Sequence, residues 1–167
     1  MNGTSKRRTV AALVVCLLAC YAAAGIGSVF TVNATGTWYR DIARPAWTPP
    51  NWLFGPVWTV LYAMMGVAAW LVWREGGFRK QRWPLGLFIG QLALNAAWTP
   101  IFFGLAQFGV ALVEIVILWC AILATILAFR RVRVAAAWLL VPYLAWVTYA
   151  TTLNAGFWWM NPHPPVP

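Results

Sequence analysis

Four hydrogen-bonding side chains, Gln91, Asn95, Glu114 and Asn154, lie inside otherwise apolar sequence, and Trp58, Trp98, Trp119 and Trp146 lie equally deep within it. In an apolar setting each polar group is costly, so each marks a candidate site. Indoles and phenols with a few amides suit a flat hydrophobic ligand that has a polar edge. The same tryptophans and tyrosines are the redox-capable groups, able to support radical or photo-oxidative chemistry on a bound chromophore. Other chemistry lacks its residues. The one histidine, His163, has no nucleophile to pair with, paired carboxylates and a phosphate loop are missing, and Cys16, Cys20 and Cys120 lack metal-ligand spacing. Hydrolase and kinase chemistry are excluded, and neither a metal site nor a cofactor is expected.

The elements that must position these groups follow from composition. Of 167 residues 62% are apolar and 9% charged, too little polar surface to clothe a soluble globule. Five apolar stretches, at about 9–32, 51–73, 83–103, 108–129 and 134–160, are each long enough to cross a hydrocarbon core of about 30 Å. The sequence predicts an all-α integral membrane protein, one domain over residues 1–167 built as a bundle of five transmembrane helices. Span five is longer than a crossing needs, and Pro142 predicts a tilt or kink there. The one long connection, at about 33–50, carries Trp38-Tyr39-Arg40-Asp41 and Arg44-Pro45-Ala46-Trp47-Thr48-Pro49-Pro50.

The net charge of +9 belongs to the span ends. Ten of the twelve basic residues fall on the side shared by the N-terminus and the second and fourth loops, leaving Arg40 and Arg44 on the other. Basic residues so placed are topology signals and not a nucleic-acid face. The positive-inside rule puts the N-terminus in the cytoplasm and the long first loop outside, with the tail Asn161-Pro162-His163-Pro164-Pro165. Helical spans of this kind are usual for a bacterial inner membrane. Lys6-Arg7-Arg8, an apolar core and Ala22-Ala23-Ala24 also resemble a signal peptide, and Leu18-Ala19-Cys20 a lipoprotein site. The apolar run continues to Phe30, longer than a signal core, which favours a retained helix.

Depth arithmetic brings the polar groups to one level. At about 1.5 Å rise per residue, Trp58 and Glu114 lie roughly 9 to 10 Å below the outer surface, and Asn95, Trp98 and Trp146 some 8 to 12 Å below it. Gln91, Asn95 and Trp98 share one helix face, Trp58 and Tyr62 another, and Trp146, Ala150 and Asn154 a third. Small Ala150 leaves room between larger neighbours. The expectation is a cavity in the outer half of the bundle, lidded by the first loop. Plainer roles compete with it. Each amide alone serves equally as an interhelical hydrogen bond, and Trp52, Trp70, Trp73, Trp83, Trp138, Trp158 and Trp159 lie near span ends as interfacial belt residues. Glu114 is a buried charge that stays neutral, pairs with a neighbouring helix, or holds Arg40 or Arg44 of the loop. One intramembrane carboxylate makes no proton relay.

Several of these segments carry a family likeness: Trp38-Tyr39, Pro45-Ala46-Trp47-Thr48-Pro49-Pro50, Trp58-Thr59-Val60-Leu61-Tyr62, Asn95-Ala96-Ala97-Trp98, Ala111-Leu112-Val113-Glu114 and Val141-Pro142-Tyr143-Leu144-Ala145-Trp146, followed by Ala150-Thr151-Thr152-Leu153-Asn154. Over essentially its whole length the chain resembles the tryptophan-rich sensory protein / translocator protein family (TspO/MBR), formerly called peripheral benzodiazepine receptors. The resemblance implies a five-helix bundle, commonly a homodimer, whose pocket under the first loop binds porphyrins such as protoporphyrin IX, sterols and synthetic benzodiazepine-type ligands. Carried over by position, the ligand-binding residues would be Tyr39, Pro49, Trp58, Tyr62, Asn95, Trp98, Trp146 and Ala150.

The implied activity is that of a membrane receptor, sensor or transporter. In some bacterial members the tryptophans matching Trp58 and Trp146 are implicated in light- and oxygen-dependent porphyrin breakdown, which would make them the catalytic pair of an enzyme. A regulatory scaffold acting through a partner and a sterol-binding protein are the other readings. The chain departs from animal members after span five, where Leu153-Asn154-Ala155-Gly156-Phe157-Trp158 meets no basic residue, so their cholesterol motif is missing. Gly86-Leu87-Phe88-Ile89-Gly90 is a G-x-x-x-G that permits close helix approach in a dimer.

Overall fold

The computed structural model describes residues 3–36 and 38–163, so Thr37 of the expected loop and Pro164-Pro165 of the expected tail lie outside the described residues. Helix α1 (Gly3–Gly36) is followed by a single 3-10 turn at Trp38–Arg40 and an irregular stretch that closes the first loop. Then come α2 (Asn51–Trp73), a one-turn α3 (Gly77–Lys80), α4 (Arg82–Thr99), a π-turn (Pro100–Gly104), α5 (Phe108–Val132) and α6 (Val134–Met160). Five of these segments are long and apolar enough to cross a membrane, and among the described residues none forms a strand. The chain is an all-helical multi-pass membrane protein.

Helix α1 runs four residues beyond the expected end, because its last turns are not free. Ala34 is 3% exposed and buried in a cluster with Tyr39 and Phe102, which keeps residues after Val32 helical although their sequence is polar. The first loop is correspondingly shorter. On the opposite end, Gly76 and Gly77 at φ 140° and 71° turn the chain too tightly for other residues, and α3 fits in the space before Arg82. Helices α5 and α6 reverse at one extended residue, Arg133, whose Nη1 donates to Glu75 Oε1 at 2.9 Å and ties this reversal to the α2 end. Helix α6 continues unbroken through Pro142.

The bundle is solid at this basic end. Ala68, Val72, Ile122, Phe129 and Ala136 have no exposed surface, and Phe88 stacks on Phe129 with ring centroids 5.9 Å apart. Helix α1 meets α2 backbone to backbone here: a Cβ on Gly66 would lie 3.1 Å from Leu17 Cα. Trp70 also donates from Nε1 to Thr9 O at 2.9 Å. Trp52, Trp83, Trp138, Trp158 and Trp159 are all more than half exposed near helix ends, in the positions an interfacial belt occupies. Gly86 and Gly90 have nothing within 4 Å of an added Cβ, so the G-x-x-x-G faces away from the bundle.

Candidate functional site

Toward the loop end the helices part around a cavity of about 380 Å³, a volume in the range of small-molecule sites. Tyr39, Trp58, Tyr62, Asn95, Trp98, Trp146 and Ala150 all line it, so the structure brings together seven of the eight residues expected from sequence. The eighth, Pro49, does not reach it. Pro49 lines an open hollow on the outer side of the loop with Arg44 and Trp52. Trp119 is also elsewhere, its Nε1 donating to Thr148 Oγ1 at 2.8 Å between α5 and α6.

Ten aromatic residues stand in the wall. Trp58 stacks on Tyr62 at 5.3 Å between centroids and meets Trp146 edge-on at 6.4 Å. Trp98 stacks on Phe102 at 4.9 Å. Phe102 reaches this position because the π-turn, closed by Leu105 N–H donating to Pro100 O at 2.9 Å, accommodates an extra residue per turn and turns both Phe102 and Phe103 toward the cavity.

The amides serve the bundle and the cavity at once. Tyr62 donates its hydroxyl hydrogen to Asn95 Oδ1, and Asn95 Nδ2 donates to Tyr143 Oη at 3.0 Å, joining α2, α4 and α6. Asn154 Oδ1 accepts from Trp98 Nε1 at 3.1 Å while its Nδ2 donates to Phe108 O at 2.8 Å, joining α4, α6 and α5. An amide has two donor hydrogens and two acceptor lone pairs, so Asn95 and Asn154, both on the cavity wall, each have one of both that these bonds do not use. Gln91 is 1% exposed, lies one turn from Asn95 and does not line the cavity. Glu114 is also buried, and its oxygens accept no hydrogen bond from the described residues. Of the alternatives for Glu114, a pairing with Arg44 is not formed, Arg44 being engaged with Tyr39 in the loop.

That loop forms a roof. Tyr39 is 4% exposed, with Phe103 and Phe157 at 5.5 and 5.7 Å and the Arg44 guanidinium 4.5 Å over its ring. Arg44 Nη2 donates to Tyr39 O at 2.7 Å. Burial pushes the Tyr39 phenol above its ordinary pKa, with the Arg44 charge opposing, so it stays neutral. The roof is tied to α6 by three contacts. Asn161 accepts from Ala43 N–H at 3.1 Å and donates to Ala43 O at 3.0 Å. Tyr149 donates to Trp47 O at 2.6 Å. Gly156 leaves the space that Pro45 fills, since a Cβ there would lie 2.6 Å from Pro45 Cγ.

Sequence reasoning missed the fourth side. Tyr21, Gly27, Ser28 and Thr31 of α1 complete the wall, as do Phe54 and Phe157. Tyr21, Ser28 and Thr31 recur at a helical spacing of seven and three in an otherwise apolar span, a signal that was available.

Comparison with known proteins agrees with this architecture. The profile of the TspO/MBR family matches residues 13–160. The chain is similar to the translocator protein of Homo sapiens, 50% identical over 135 residues that cover 80% of each chain. It is 42% identical over 157 residues to the tryptophan-rich protein TspO of Chlorobaculum tepidum, covering 93% of this chain and 99% of that one. Protein CrtK of Rhodobacter capsulatus is 36% identical over 149 residues, covering 87% and 89%. With that profile spanning all five membrane helices from residue 13 onward, and with relatives at 36% to 50% identity over four fifths or more of each chain, the chain belongs to the TspO/MBR family.

Proposed function

We propose that this membrane protein is a receptor, sensor or transporter that holds a porphyrin of the protoporphyrin IX type in the cavity under the first loop. The observation that carries this reading is the enclosure of one cavity by Trp58, Trp98 and Trp146, with Asn95 and Asn154 retaining hydrogen-bonding capacity at its edge. Indole faces supply broad apolar contact for a flat ring, and the amides meet its polar substituents. The reading places the protein in a bacterial inner membrane with the basic end in the cytoplasm. It pairs two copies through the outward face at Gly86 and Gly90.

The test is titration of purified protein with protoporphyrin IX in the dark, followed by tryptophan fluorescence. Saturable quenching in wild type, weakened about 2- to 10-fold in Trp146→Phe, is expected from an aromatic contact of about 0.5–1.5 kcal/mol. Quenching that never saturates, or is indifferent to Trp146, refutes it.

A second reading rests on the edge contact of Trp58 and Trp146 and the stacking of Trp58 on Tyr62, which surround a bound chromophore with oxidisable rings. In it the protein degrades the porphyrin under light and oxygen. Loss of the Soret band with a defined product, abolished in Trp58→Phe/Trp146→Phe, is its signature. Loss unchanged in the double variant is ordinary photobleaching.

A further inference from the structure

The cavity has to be filled from somewhere, and its walls are not alike. Six of its lining residues are exposed: Tyr21, Ser28 and Val32 of α1, and Asn51, Gly55 and Thr59 of α2. Every lining residue contributed by α4, the π-turn, α5, α6 and the first loop is buried or half-buried. A residue that both lines a cavity and is exposed sits on its rim. The rim therefore lies along the line where α1 and α2 meet.

The packing of these two helices changes along their length. In the basic half they touch through Gly66, where an added Cβ would lie 2.8 Å from Leu17 Cδ2. Toward the loop end, Gly55 lines the cavity yet has nothing within 4 Å of an added Cβ. Between these levels Tyr21 Oη donates to Thr59 O at 3.0 Å, bracing the helices below the opening. Helix α1 is also the least buried wall: 11% of its apolar window is buried, against 28% to 39% for the other four spans. The roof contrasts with it, being held to α6 by Asn161, Tyr149 and the Pro45 seat at Gly156.

We propose that ligand reaches the cavity sideways, from the lipid leaflet on the loop side through the seam between α1 and α2, and that the first loop is a fixed roof and not the moving gate. The ligand class this admits is one that partitions into the bilayer before it meets the protein. The inference rests on the cavity being a ligand site, as argued above. It assigns Gly55 and Ser28 to the passage and Asn161 and Tyr149 to the roof.

Stopped-flow quenching by protoporphyrin IX, with the full chain in phosphatidylcholine vesicles in the dark, separates the two routes. Gly55→Leu fills open space, and Ser28→Leu narrows the seam from the opposite wall. Each is expected to slow both association and dissociation, by about tenfold, the pattern of a blocked passage, whereas a lost wall contact speeds dissociation alone. Asn161→Ala and Tyr149→Phe, which untie the roof, are expected to leave the association rate at its wild-type value. Faster association in the roof variants, or unchanged rates in both seam variants, overturns the proposal. Failure of the underlying reading is distinct: wild type itself then gives no saturable quenching, and the passage falls with the site.

Discussion

Asn95 shows how one side chain does two jobs. Its amide separates the phenols of Tyr62 and Tyr143, accepting from the first and donating to the second, and still faces the cavity. Tyr62→Phe keeps the ring stacked on Trp58 but removes the donor, and is expected to lower stability by about 0.5–1.5 kcal/mol. Asn95→Leu strands both hydroxyls and costs more. The cycle of Tyr62→Phe, Asn95→Leu and the double variant, read by thermal unfolding in detergent, is expected to be less than additive, because the two residues share one bond. Equal and additive losses would mean the bond contributes nothing. At this scale the sequence was legible wherever a polar group stood alone in an apolar run, as Asn95 and Asn154 do. Pro49, carried over from the family resemblance alone, lines a different hollow from the other seven, since a proline has no polarity or periodicity that fixes its direction in a loop. The contribution of α1 was overlooked because Ser28 and Thr31 donate to carbonyls of their own helix, those of Gly25 and Gly27, the ordinary habit of hydroxyls in helices.

Among the elements, the contact of α1 with α2 depends on a missing side chain. Gly66→Val is expected to force α1 away from α2, since its Cβ would meet both Leu17 Cδ2 and Leu17 Cα, and rotation of the leucine relieves only the first. Overpacking of this kind costs about 1–3 kcal/mol, visible as a lower unfolding midpoint. A midpoint equal to wild type would show that α1 contributes little to holding the bundle together. Span existence was readable from apolar length, and the starts at Asn51 and Phe108 coincide with the observed ones. The differences have physical causes. Burial of Ala34 against Tyr39 extends α1, and the π-turn lies where Pro100 cannot supply an N–H to continue α4 in its own pattern. A tertiary contact sets the first and no local pattern announces it, whereas the second has a local mark in Pro100.

For the whole molecule, charge and packing are both unevenly distributed. Arg74, Arg79, Lys80, Arg82, Arg130, Arg131 and Arg133 surround one end, where Glu75 is the acidic residue and is already paired with Arg133. That exposed pair itself is worth only about 0–1 kcal/mol, so its end of the bundle is held by packing. The proposed orientation rests on this asymmetry of charge. In intact cells a membrane-impermeant maleimide is expected to label Ala46→Cys on the roof and to reach Arg79→Cys only after permeabilisation. The reverse pattern would invert the topology. The unevenness of packing matters differently. Because Ala68, Val72, Ile122 and Phe129 fill one half without gaps while the other half encloses a cavity, the two halves answer to different demands. The filled half holds the helices chiefly by packing, whereas the hollow half holds them through Asn95 and Asn154 as well. Wall side chains outside that network, such as Phe54 and Ala150, are consequently freer to change in size and shape, so a lineage built on this plan has room to acquire new ligands without first losing the fold.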